Sequence, residues 1–371
     1  MLVKTEPISL VSATSEETAA VRRVLSERYG IVAADVSRYA EKTTSAVFRC
    51  ETDGGEAVVV KRSGWTDDIV AVSRSCGLSE RLRALGVALP RVFETSGGDF
   101  VAKDGKDMYQ VLSHLPGEHS SSSLEEWASA GAALGKFHAA GLRILRENPS
   151  EAEAIARDIP VQMSYEESRA MYLSGLRETL LATHDCAFPG VCAAFRENVD
   201  LLDRTMERVD AAKASVHPTV GVVHNDFHVN NGLYLEDGSF SGFLDMDQAG
   251  VGPLVWDVGN SIFSFASNAL GSVGPERLPE LVAAFLSGYG RERRLSVEEY
   301  LLIVPAGLRW DLMRILRSLR RHRFENDRFP GNIRKIKDRL IERVRRFPEI
   351  LGFVDDAWIA AVMSRRSSEV S

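Results

Sequence analysis

Apolar and polar positions alternate with one rhythm in the first third of the chain and another over most of the remaining two thirds. Residues 15–29 read as a helix, with Thr14 and Glu17 as a capping box and Gly30 as the stop. Two β-rich runs come next, SAVFRCET and EAVVVKRS, joined by the turn Asp53-Gly54-Gly55. That pattern predicts a hairpin. Helical spacing returns over 67–85 through Ile69, Val72, Leu78, Leu82 and Leu85, with Gly77 as its weak point. Pro90 ends that region. The segment RVFETSGGDFVAKDGKDMYQVLSHL then predicts a second strand pair, with turns at Gly97-Gly98 and Asp104-Gly105.

The rhythm changes after Leu115-Pro116-Gly117. Residues 124–141 form a helical pattern with a small-residue face (Ala128, Gly131, Ala132, Gly135) suited to close packing. Further helices are expected over 164–185 and 190–214. Residues 219–247 interrupt them with short β-type runs, and from Asp257 onward the pattern is helical again. The expected fold class is therefore α+β and bilobal. A small antiparallel β lobe with a helix would occupy residues 1–115, and a larger, mainly helical lobe residues 116–371.

Composition narrows this picture only slightly. The chain has 371 residues, 44% hydrophobic and 26% charged, with a net charge of −7. That is an ordinary globular balance, and the negative charge disfavours DNA as a partner. No apolar run approaches the roughly 20 residues that span a bilayer, so no membrane role is expected. The N-terminus does not read as a secretory signal. Cys50, Cys76, Cys186 and Cys192 show no C-x-x-C or zinc spacing and are expected as free thiols in a reducing cytoplasm.

The chemistry concentrates in VVHNDFHVNNGLY and the GFLDMDQAG after it. Asp226 follows His224 by two residues, Asn231 follows Asp226 by five, and Asp245 follows Asn231 by fourteen. Short apolar runs would place these polar residues at strand ends and on the loop between. Phosphoryl transfer needs an acceptor hydroxyl held in line with the phosphate, and divalent metal to absorb the developing charge. A carboxylate such as Asp226 can hold and deprotonate the hydroxyl. Asn231 and Asp245 offer the hard oxygens that magnesium prefers. Asp247 shares a face with Asp245 on a strand, and is either a further ligand or simply solvated. His228 can place a donor near the transferred phosphate.

HNDFHVNN followed by LDMD resembles the catalytic motif and metal-binding aspartate of the aminoglycoside phosphotransferase and choline kinase superfamily, which shares the protein-kinase fold. The likeness runs from about residue 40 to residue 320. VVVKRS resembles the strand of the ATP-binding lysine, YQVLSHLPGE the hinge, AGAALGKFHAAGL the first helix of the large lobe, and GPLVWDVGNSIFSF the segment after the metal site. The resemblance implies ATP and Mg2+ as cofactors and a hydroxyl-bearing small molecule as acceptor. It implies Asp226 as base, Asn231 and Asp245 as magnesium ligands, and His224 as a brace. It implies Lys61 on the α- and β-phosphates and the backbone of Leu112, Ser113, His114 and Leu115 against adenine. The phosphate-covering turn would be Lys42-Thr43-Thr44-Ser45, which has no glycine-rich signature. Glu80 is the candidate helix partner of Lys61, although it sits close to the helix end.

Other polar residues read more plainly. His138 is expected to be structural, and Trp256 and Asp257 to be core packing and a buried anchor under the catalytic loop. Residues 309–346 carry fourteen Lys or Arg against five Asp or Glu. Leu308, Leu312, Ile315, Leu316 and Leu319 define one apolar face there, so a solvated basic face on a packed helix is the plain reading. The sharper reading is an anion-binding surface near the acceptor site, for an acidic peptide, a phosphorylated or carboxylated metabolite, or RNA; with a peptide docked there, its Ser or Thr would be the acceptor. A nucleotide-binding scaffold without transfer is a third reading.

Overall fold

The computed structural model of the chain describes residues 9–39, 45–63, 68–119, 123–147, 165–182, 189–269 and 273–324. The first part is a six-stranded antiparallel sheet in the order β1-β2-β3-β4-β6-β5. Its strands are β1 (Leu10–Ser12), β2 (Ala33–Tyr39), β3 (Ala46–Thr52), β4 (Ala57–Ser63), β5 (Val101–Asp104) and β6 (Asp107–Ser113). The Asp53-Gly54-Gly55 turn joins β3 to β4 as the sequence predicts, with Gly55 at φ 80°. Helix α1 (Ser15–Tyr29) carries the capping box of Thr14 and Glu17 and ends on Gly30 in the left-handed region. It lays Val21, Val24, Leu25 and Tyr29 on a core of Phe48, Val60, Tyr109 and Val111. Helix α2 (Ile69–Ala84), capped by Asp68, covers the sheet's site-facing side.

Two features of this sheet differ from the expectation. Residues 33–39 form β2, although only Ala33 and Val36 are buried there, too few to show a strand rhythm. The run from Arg91 is not a full strand. Val92 makes one bridge to Leu112, because β5 already pairs with β6 over Asp107 to Gln110.

The second part is helical around a small β insert. Helix α3 (Leu124–Glu147) is followed by α4 (Tyr165–Met171), a π-turn at Tyr172–Leu176 and α5 (Arg177–Ala182). The single helix expected over 164–185 is thus broken, with Gly175 at φ 139° supplying the non-helical backbone. Helix α6 is Pro189–Ser215. The insert holds β7 (Val220–Val223), β8 (Gly232–Tyr234), β9 (Phe240–Phe243) and β10 (Gly250–Pro253), with β7 paired to β10 and β8 to β9. Helices α7 (Leu254–Ala269), α8 (Leu278–Glu292) and α9 (Val297–Phe324) complete the described chain.

The small-residue face of α3 meets α8 at backbone contact. A Cβ added to Gly131 would lie 1.9 Å from the Phe285 carbonyl oxygen, and one added to Gly288 would lie 1.9 Å from that of Ala128. The apolar face of α9 is also as expected, with Leu308, Leu312, Ile315 and Leu316 fully buried. Among the described residues, no helix is long and apolar enough to cross a membrane. Cys50 and Cys76 are buried free thiols, each pushed up to about 12 by burial. Cys186 lies outside the described residues.

Candidate active site

The site forms where β4 and α2 face the loops after β7 and β9. Strand β7 is buried from Gly221 to Val223 and delivers His224 to a position with no exposure. The chain then turns sharply. Among the described residues, the non-glycines at positive φ are Asn225 (63°) and Asp245 (60°). Such backbone is costly for ordinary residues and persists where surrounding contacts impose it. Asp257 at the start of α7, 1% exposed, accepts the N–H of His224 at 2.5 Å and that of Asn225 at 2.7 Å. Ser261, one turn on, donates to the Phe227 carbonyl at 3.2 Å. Phe227 packs against Phe243 (ring centroids 4.7 Å apart) and Phe265 (5.5 Å), so the loop rests on an aromatic floor.

The two functional segments are laced together at Leu244. Its N–H donates to the Asn231 carbonyl at 2.9 Å, and its carbonyl accepts from His224 Nε2 at 3.0 Å. This fixes Asp245 beside the Asp226–Asn231 loop. Asn231, 3% exposed, donates from Nδ2 to the Asp226 backbone carbonyl at 2.9 Å and to its Oδ2 at 3.2 Å. His228 Nε2 stands 3.8 Å from Asp226 Oδ2, and both side chains remain partly exposed. His224 Nδ1 is buried without a hydrogen-bond partner. Burial lowers the His224 pKa, against the raising pull of Asp257 and Asp245, which keeps the ring neutral as a brace.

Lys61 reaches across from β4. Its Nζ lies 2.8 Å from Asp245 Oδ1 and 2.5 Å from Asp247 Oδ2. Burial lowers its pKa, but the two carboxylates outweigh burial and hold the ammonium well above its ordinary range. Burial raises the Asp247 carboxyl, with Lys61 opposing. Asp247 is therefore not the solvated residue that its spacing also allowed. Glu80 does not serve as the lysine's partner. Its carboxylate takes Arg83 (2.8 Å) and the Val92 N–H (2.6 Å). The buried polar positions of α2 near the site are Ser75 and Ser79, and Ser75 Oγ donates to the Met246 carbonyl at 2.9 Å. The helix thus holds the turn that carries Asp247 rather than supplying a carboxylate. The family resemblance calls for a helix glutamate, and Glu80 is the candidate because it is the only Glu between Asp68 and Pro90.

Thr43 and Thr44, expected over the phosphates, lie outside the described residues, and Ser45 is buried at the start of β3. Leu112 and Ser113 end β6, and Ser113 Oγ accepts the Arg91 N–H at 2.9 Å. The His114 N–H donates to the Ala57 carbonyl at 3.3 Å, and burial lowers the pKa of its ring, with Arg49 adding to the effect. Leu115 packs toward Gly242. Of the basic stretch 309–346, residues beyond 324 lie outside the described residues. Within the described part, Arg309 is buried, its guanidinium 3.8 Å over the Trp256 ring, rather than solvated.

This architecture has known counterparts. The phosphotransferase enzyme family matches residues 35–300, well over half of the chain, and the chain belongs to that family. Phosphotransfer is the activity of that family. Solved structures repeat the fold. A spectinomycin phosphotransferase, in complex with ADP and spectinomycin, matches with a TM-score of 0.64 at 15% identity, covering 91% of this chain and all of its own. An amicoumacin kinase with AMP-PNP matches at 0.59 and 15%, over 88% of this chain and 93% of its own. A choline/ethanolamine kinase family protein from Mesorhizobium loti matches at 0.58 and 17%, over 93% and 98%. No protein of curated function matches this chain in sequence.

Proposed function

We propose that the chain transfers the γ-phosphate of ATP to a hydroxyl group of a small molecule, with magnesium. The observation that carries this reading is the convergence of Lys61, from the sheet, on Asp245 and Asp247, laced by Leu244 to the loop of Asp226 and Asn231. Asp226 is partly exposed and steadied by Asn231 Nδ2, so it can accept the acceptor's hydroxyl proton. His224 braces the loop, and His228, with Nε2 3.8 Å from Asp226 Oδ2, would donate to a transferring phosphate. Lys61 holds the α- and β-phosphates, and the backbone at 112–115 meets the base.

The donor set fits magnesium. Asp245, Asp247 and Asn231 bring two carboxylates and one amide. Magnesium is usually held by one or two carboxylates, with phosphate and water completing the shell. When bound, it would neutralise charge that develops on the phosphate oxygens. The structural relatives act on antibiotics and on choline or ethanolamine by their names, and a small polar alcohol of that kind is the acceptor class we favour.

Label transfer tests the reading. Purified protein is mixed with γ-labelled ATP, magnesium and an extract of the source cells, with Asp226→Asn alongside. Label in the metabolite fraction that vanishes in Asp226→Asn is the expected result. Label confined to polypeptides would move the acceptor from a small molecule to a protein. Equal labelling by the variant would remove Asp226 from the reaction.

A further inference from the structure

A chain of buried polar groups runs from the catalytic loop through four helices and returns to the strand that feeds the loop. Asp257 Oδ2 meets His138 Nε2 on α3 at 3.2 Å. His138 Nδ1 meets the Tyr289 hydroxyl on α8 at 2.8 Å. Arg293 Nη1 donates to the same hydroxyl at 3.1 Å, and Arg293 Nη2 meets Glu299 on α9 at 2.8 Å. Glu299 then accepts the N–H of Thr219, the residue before β7, at 3.2 Å. His138 and Tyr289 have no exposure, Asp257 has 1% and Glu299 has 4%.

One arrangement of protons satisfies every member. Burial lowers the His138 pKa, against the raising pull of Asp257, so the ring is neutral and carries one N–H. That N–H must be at Nε2, because a carboxylate only accepts. Nδ1 is then an acceptor and takes the Tyr289 hydroxyl proton. The Tyr289 oxygen in turn accepts from Arg293, which also donates to Glu299. Arg293 is the donor at the centre, toward Tyr289, His138 and Asp257 on one side and toward Glu299 on the other, and the carboxylates at the two ends grip the same strand. Glu299 holds the N–H before β7, and Asp257 holds the N–H groups of His224 and Asn225 just after it. Fully satisfied buried networks of this kind rigidify what they touch, while one missing member leaves costly unpaired groups.

We propose that Tyr289, with Arg293 and Glu299, is a positioning relay that sets the placement of Asp226 through His138 and Asp257. Tyr289 is the link to test, since Tyr289→Phe keeps the ring and removes only the hydroxyl. This inference rests on the phosphotransfer reading for its kinetic half but not for its structural half. The first readout is backbone hydrogen exchange over residues 219–227. Tyr289→Phe is expected to speed exchange there by about tenfold or more, with α1 unchanged, as a local opening would. The second readout is ATP turnover per folded molecule. A fall in kcat of roughly tenfold to a hundredfold is expected, with the KM for ATP within about twofold of wild type.

Unchanged exchange over 219–227 would overturn the proposal. Faster exchange with unchanged kcat would also overturn it, because the relay would then be scaffolding alone. If Tyr289→Phe does not fold, Glu299→Gln breaks the charge pair at the far end and is read the same way. In a double variant of both, the kcat losses should be less than multiplicative, since the two residues serve one chain. Wild-type protein without any ATP turnover would sink the phosphotransfer reading, and is told apart because the exchange effect would survive it.

Discussion

His138 and His224 are fully buried and both have pKa values lowered, chiefly by burial. The direction of these shifts sets the sign of the pH dependence. The unfolded chain binds protons at these rings below the ordinary histidine value of about 6.5, while the folded chain resists them. Stability contributed by the neutral rings is therefore present above about pH 6.5 and is lost as the pH falls below it. The thermal midpoint should drop between about pH 7 and about pH 5.5. His224→Asn should start lower at neutral pH yet lose less over the same interval; an equal loss would assign the acid sensitivity to other groups. The carboxylates at Lys61 allow a second test. Asp247→Asn should lower kcat/KM at least about tenfold by releasing Lys61. Glu80→Gln should stay within about threefold, because Glu80 serves Arg83 and Val92. The reverse ranking would restore the helix glutamate as the lysine's partner.

Packing between elements explains why one kind of substitution changes sign along the chain. Gly131→Ala would push a methyl into the Phe285 carbonyl, and α3 and α8 would have to separate along their contact. A loss of about 3 kcal/mol or more is expected in a denaturant titration. Gly77→Ala sits inside α2 with only the Phe100 ring near, at 3.8 Å. It should gain up to about 1 kcal/mol from helix propensity, and a loss there would mean that α2 tolerates no added bulk. The small-residue face of α3 is legible in the sequence because Ala128, Gly131, Ala132 and Gly135 recur at helical spacing. Its partner is not, because Gly288 carries no spacing signal of its own. The same limit applies to β2, with few β-branched residues, and to the π-turn, where one glycine breaks an otherwise helical rhythm. Asp257 is readable as an anchor beside the catalytic loop, whereas Tyr289, Arg293 and Glu299 lie far along the chain and meet it only through folding. The spacing of Asp226, Asn231 and Asp245 carries more information than any helix pattern, since local loops set it.

At the scale of the molecule, the two parts meet through a few specific bonds. Lys61 spans to Asp245 and Asp247, Ser75 to the Met246 carbonyl, and the Phe243 N–H to the Ala88 carbonyl. Gly117, at φ 111°, passes so close to Tyr234 that a Cβ would lie 2.5 Å from its carbonyl oxygen, while Glu118 pairs with Tyr234. We propose a boundary between the two lobes at residues 115–116, just before this junction. A ligand whose phosphates contact Lys61 and whose metal contacts Asp245 would bind both lobes at once, and so would stabilise the whole chain. At a concentration about one hundred times its Kd, such a ligand adds about 2.7 kcal/mol. Thermal midpoints with ATP alone, magnesium alone and the two together therefore separate the contributions. Wild type should gain most from the pair. Lys61→Met should lose most of the gain with either form of nucleotide. Asp245→Asn should keep the gain from ATP alone and show no further rise when magnesium is added. A full magnesium increment in Asp245→Asn would place the metal elsewhere, and the oxygen set around Asn231 would then have to be assigned anew.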